Sequence, residues 1–187
     1  MIISLEFSGI PLNLNNKSNQ YTYMAKEDLD WQELDKFVRR LLKITTSVNS
    51  MKTLVSKRDG SKTRFYKWRR WRYHDNFITR NGHAAGQGIL YYDKKRVFST
   101  VYFYSFAENT DLKLLKFLGE AILDSYDYFS KNPSKTTFNL KKGPFEYQRT
   151  MKKVNEMGNL TFENDAKIKE NGETVYFAKD ISGYLIY

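Results

Sequence analysis

Two dipeptides constrain this chain most. Asp59-Gly60 sits between "MKTLVS" and the aromatic run that starts at Arg64, and Asn171-Gly172 sits between "KIKE" and "ETVYFAKD". Such pairs tolerate the left-handed backbone that a tight two-residue turn demands, so each reads as the tip of a β-hairpin. "ILYYDKKRVFSTVYFYSF" reads as a further hairpin turning at Asp93–Arg96, with a second strand rich in β-branched and aromatic residues. Ile2–Phe7 alternates as a strand, residues 13–20 form a polar loop, and "ISGYLIY" reads as a closing strand.

Two segments keep a helical period instead. In "KEDLDWQELDKFVRRLLK" the apolar positions Trp31, Leu34, Val38, Leu41 and Leu42 recur at spacings of three and four, flanked by Phe37. Acids open it and bases close it, which suits the helix dipole. In "DLKLLKFLGEAILDSYDYF" the expected inner face is Leu112, Leu115, Leu118/Gly119 and Ile122, with Asn109 or Thr110 as cap. Hairpins with two substantial helices predict an α+β fold with a mainly antiparallel sheet. At 187 residues the chain suits a single domain, 1–187, in which 131–187 could form a small C-terminal subdomain behind the breaks at Pro133 and "KKGP".

Composition removes several function classes. There is no cysteine, so disulfides and thiolate metal sites are excluded, and two histidines make an all-nitrogen metal site a poor fit. No metal or other cofactor is expected. No apolar run approaches the ~18 residues a membrane span needs. The N-terminus lacks a basic start and reads as a strand rather than a leader, so a cytoplasmic protein is the expectation.

The net charge is +10, and its position matters more than its size. Residues 1–51 balance to zero, whereas residues 52–80 hold ten Lys/Arg against Asp59 and Asp75, a local net of +8. Charge concentrated in this way points to a polyanionic partner, a nucleic acid or a nucleoprotein. The centre of the segment is "RFYKWRRWRYHDNF", where cations interleave with aromatic rings. Read as one strand, Arg64, Tyr66, Trp68, Arg70 and Arg72 share a face, and Phe65, Lys67, Arg69, Trp71 and Tyr73 share the other, so neither face is cleanly apolar. Arginine forks suit phosphate oxygens and exposed rings stack on bases. The candidate binding residues are Lys57, Arg58, Lys62, Arg64, Lys67, Trp68, Arg69, Arg70, Trp71, Arg72, Tyr73 and Arg80. The competing reading is an aromatic core strand whose long basic side chains reach out to water.

A second function class rests on His74, beside Asp75, and His83. Two imidazoles can cut RNA without metal, one taking the 2′-hydroxyl proton and the other protonating the leaving oxygen. "GHAAGQG" has neither the spacing of a phosphate-cradling Walker loop nor that of a dinucleotide fingerprint, and reads as a flexible loop at 81–88. Glu120, Asp124 and Asp127 read as a solvated acidic face of the second helix. In overall character the chain is similar to small accessory proteins of phages and mobile elements, some of which inhibit host nucleoprotein enzymes such as CRISPR effector nucleases. That likeness implies a binding protein rather than an enzyme.

Overall fold

The structure is a computed structural model that describes residues 30–46, 53–108, 110–156 and 159–184. The strand expected at Ile2–Phe7, the polar loop at 13–20, Lys52, Asn109 and the last three residues lie outside the described residues.

The chain forms two helices, α1 (Trp31–Thr46) and α2 (Leu112–Lys131), and nine strands. The strands are β1 (Thr53–Val55), β2 (Lys62–Trp68), β3 (Trp71–Arg80), β4 (His83–Tyr92), β5 (Lys95–Phe106), β6 (Thr137–Lys142), β7 (Phe145–Glu156), β8 (Asn159–Glu170) and β9 (Glu173–Tyr184). They build one antiparallel sheet in the order β1-β2-β3-β4-β5-β9-β8-β7-β6. The fold is therefore α+β with an antiparallel sheet, as the hairpin signals predict. Two meanders are joined by α2, and the last strand returns to the centre beside β5.

Both helices cover the same face. On α1, Leu34, Val38, Leu41 and Leu42 are buried as the periodicity predicts, the Trp31 side chain lies outside what the structure describes, and the flanking Phe37 is also buried and packs on Tyr66 and Trp71. At ~1.5–3 kcal/mol per buried side chain, that buried face contributes about 7–15 kcal/mol before conformational entropy is subtracted. On α2 the inner face is turned from the one expected. Leu114, Phe117, Leu118, Ala121 and Ile122 are buried, while Leu112 is 72% exposed. The cap also differs: Asp111, not Thr110, accepts the Leu114 backbone N–H at 2.8 Å and so starts the helix. Across the helix pair, Arg39 of α1 bonds Asp35 and Asp127 and lies over the Tyr126 ring. Among the described residues no helix is long and apolar enough to cross a membrane.

The basic-aromatic stretch is not one strand. It folds back at Arg69-Arg70, so that Trp68 pairs with Trp71, Tyr66 with Tyr73 and Arg64 with Asp75. Arg69 takes a φ of 54°, a conformation a non-glycine residue adopts at a cost. Contacts from outside the hairpin hold it there. The Arg69 guanidinium donates to Glu33 of α1 at 3.0 Å, and the same carboxylate accepts the Trp71 indole N–H at 3.1 Å. Arg70 pairs with Asp93, and its carbonyl accepts the Asp93 backbone N–H at 3.1 Å.

Residues 81–88 are likewise not a flexible loop. Asn81-Gly82 is a turn and His83–Tyr92 is a central strand. Gly86 and Gly88 face the helices, where they leave room for aromatic side chains. A Cβ at Gly88 would sit 2.3 Å from the Tyr73 hydroxyl, and one at Gly86 would sit 2.6 Å from the Tyr102 hydroxyl. The two rings lie across the strand where side chains are missing.

Candidate functional site

The Arg69-Arg70 turn sorts the charged segment into two sides. On the helix-covered side lie Arg64, Tyr66, Trp68, Trp71, Tyr73 and Asp75. Trp71 is fully buried against Tyr92 and Phe37, and Tyr73 is also buried. Arg64 is buried, with its guanidinium 4.7 Å over the Phe77 ring and its Nε donating to the Thr53 hydroxyl at 3.0 Å. Trp68 is half-buried between the guanidinium groups of Arg40 and Arg69. Of the residues expected as contacts, Arg64, Trp71 and Tyr73 are thus buried in the core, while Arg69 and Arg70 are exposed and pair with Glu33 and Asp93 at the turn.

Beneath the helices Asp75 is fully buried and accepts a hydrogen bond from the Tyr102 hydroxyl at 2.7 Å. Burial pushes its carboxyl up to about 6, opposed by that hydrogen bond and by the nearby Arg64 charge. Burial also raises the phenols of Tyr73, Tyr102 and Tyr104 and lowers the Arg64 guanidinium. Asp75 points away from His74, so the adjacent pair is no catalytic dyad: consecutive strand residues face opposite sides.

The other side of β2–β5 is open. The strand register sets its side chains in five rows, about 6.6 Å apart along the strands. Lys67, Arg72, Tyr91 and Arg96 form the first row, and Phe65, His74, Ile89 and Ser99 the second. Thr63, Asn76, Gln87 and Val101 form the third, Ile78, Ala85 and Phe103 the fourth, and Arg80, His83 and Ser105 the fifth. No carboxylate lies on this face of β2–β5. Among the described residues Lys67, Arg72, Arg80 and Arg96 belong to no ion pair. The neighbouring β7–β9 part of the open face is mixed in sign, with Lys152 beside Glu163 and Lys179 beside Asp165.

The open face also carries rings and aliphatic groups that folding would ordinarily hide. Phe65 is 57% exposed, Ile78 56%, Val101 57% and Phe103 41%. Phe65 stacks on His74 with centroids 4.6 Å apart and planes 18° apart. His83 lies nearly parallel to Phe103 at 6.3 Å. Partial burial lowers the His74 imidazole, which keeps it neutral at neutral pH.

His74 and His83 share this face without meeting. His83 pairs with Arg80, six residues along β3 from His74, so the rings are ~20 Å apart. One phosphate cannot lie between them, and the two-imidazole ribonuclease arrangement is not formed. Of the other candidates, Lys57 and Arg58 project from the β1–β2 turn, and Lys62 bonds the Thr79 hydroxyl at 2.6 Å. Glu120 pairs with Lys142, and among the described residues no group of His, Asp or Glu is placed to hold a metal ion. The sequence reading missed Phe65, Ile78, Arg96, Phe103 and the amides of Asn76 and Gln87. A period-two count along β5, with Thr100, Tyr102 and Tyr104 inward, does put Val101 and Phe103 outside. No family model, curated protein or solved structure matches the chain.

Proposed function

We propose that the chain is a nucleic-acid-binding protein whose ligand, free or held in a nucleoprotein, lies on the open face of β2–β5. The observation that carries this reading is the charge of that face: Lys67, Arg72, Arg80 and Arg96 stand at its two ends with no carboxylate among the rows between. Exposed cations bind phosphates by releasing condensed counterions. Arginine adds a planar fork that matches two phosphate oxygens. Arg64 is buried and Arg69 and Arg70 are paired with Glu33 and Asp93, so these three are not counted as contacts.

Binding of labelled single-stranded and duplex oligonucleotides at increasing salt tests the proposal. Four contacts of this kind give a log–log salt slope of about −3, at ~0.7–0.9 per phosphate neutralised. Lys67→Ala or Arg72→Ala lowers the slope by about one such step, whereas Lys141→Ala, at the far edge of the sheet and paired with Glu146, leaves it unchanged. Absence of binding to any polyanion, or a slope near zero, overturns the proposal.

A further inference from the structure

The arrangement of the five rows says more than their charge. Cations occupy the first and fifth rows, ~26 Å apart, and rings, amides and aliphatic groups occupy the three between. A duplex keeps its bases inside and offers phosphates outside. Laid on this face it would satisfy the end rows while leaving the exposed apolar middle unmatched. A single strand has the opposite shape, with phosphates on one side and the flat faces of unstacked bases on the other.

We infer that, given the nucleic-acid reading above, the ligand is single-stranded: bases stack on Phe65 and Phe103 and the backbone runs to the cations at either end. Phe65 has one ring face against His74, and Phe103 lies beside His83 and Phe177; both rings keep exposed surface on which a base can stack. The two platforms are three strands and four residues apart, ~20 Å on the diagonal. A strand that touches both passes over the row containing Asn76 and Gln87. Their exposed amides carry donors and acceptors that suit base edges. The span falls at the lower end of the ~4–16 nucleotides that one OB fold takes.

The experiment compares a short labelled oligothymidylate, an oligouridylate and a duplex of the same length, on the wild-type chain and on Phe65→Ala and Phe103→Ala. Single strands are expected to bind more tightly than duplex by at least the ~5-fold that one stacked base contributes. Each Phe→Ala change weakens single-strand binding by ~5- to 150-fold while the salt slope stays as it was. Phe65→Tyr and Phe103→Tyr keep the platform and retain binding, which separates stacking from any loss of fold. The two single strands distinguish a DNA from an RNA ligand, and tighter binding of either supports the inference. Duplex bound as tightly as single strand, or Phe→Ala variants that bind single strands like wild type, overturns stacking while leaving the electrostatic proposal in place. No binding to any of the three overturns both.

Discussion

Asp75 gives the fold a pH dependence that one substitution can isolate. Its carboxyl is fully buried, and burial raises it from 3.8 to about 6. Between those values the folded chain holds a proton that the unfolded chain has released. Stability therefore falls as pH rises through that window, and the penalty is absent below it and complete above. A difference of about 2 pH units at ~1.36 kcal/mol each makes the penalty about 3 kcal/mol at neutral pH. Asp75→Asn keeps an oxygen to accept the Tyr102 hydroxyl and carries no charge at any pH. The variant leaves Arg64 without a counter-charge, and that cost is the same at every pH tested. All other titrating groups are common to both proteins and cancel in the difference. Denaturant or thermal melts from about pH 4 to about pH 7 should show the variant gaining ~3 kcal/mol on wild type, or ~6–12 °C in Tm. A difference that stays flat across that range refutes the assignment of a buried carboxyl held near 6.

Two further predictions concern residues read differently from the sequence. Gly88→Ala puts a methyl group 2.3 Å from the Tyr73 hydroxyl and should lower stability by ~1–3 kcal/mol, with part recovered when Tyr73→Phe is added; urea midpoints decide, and a variant as stable as wild type removes the packing role. RNA incubated with purified protein in EDTA should stay intact on a gel, for wild type, His74→Ala and His83→Ala alike, and cleavage that either substitution abolishes would place catalysis at an imidazole despite the separation of the rings.

Much of the fold can be read from short-range signals. Asn171-Gly172 forms the tight turn its chemistry predicts, Asp59-Gly60 lies in a longer loop, 56–61, that closes the expected β1–β2 hairpin, and Leu34, Val38, Leu41 and Leu42 of α1 are buried as their spacing predicts. What could not be read depends on distant partners. Arg69-Arg70 has no glycine, asparagine or aspartate to mark a turn, and Glu33 and Asp93, 36 and 23 residues away, hold it. Gly86 and Gly88 mark flexibility in most sequences. Here their missing side chains make room for tyrosines from β3 and β5, a role visible only once the strands are paired.

The turn at Arg69-Arg70 also separates the two kinds of side chain in the charged segment. Strand side chains alternate with a period of two, so an uninterrupted strand mixes Trp68 with Arg70 and Lys67 with Trp71. A two-residue turn at 69–70 shifts the inward parity from even to odd. Trp68 then faces inward with Trp71, and Tyr66 with Tyr73, while Lys67 faces outward with Arg72 and Phe65 with His74. One side becomes the aromatic core that the competing reading expected, and the other becomes the cationic, ring-bearing face that the binding reading expected. The two readings are alternatives only for a single uninterrupted strand. The local net charge of +8 thus overstates what a ligand meets, because Arg64, Arg69 and Arg70 are committed to packing and pairing. Arg96, outside the charged segment, joins the face through its pairing with Tyr91. The candidate surface is thus set by strand register, which a window of sequence does not contain.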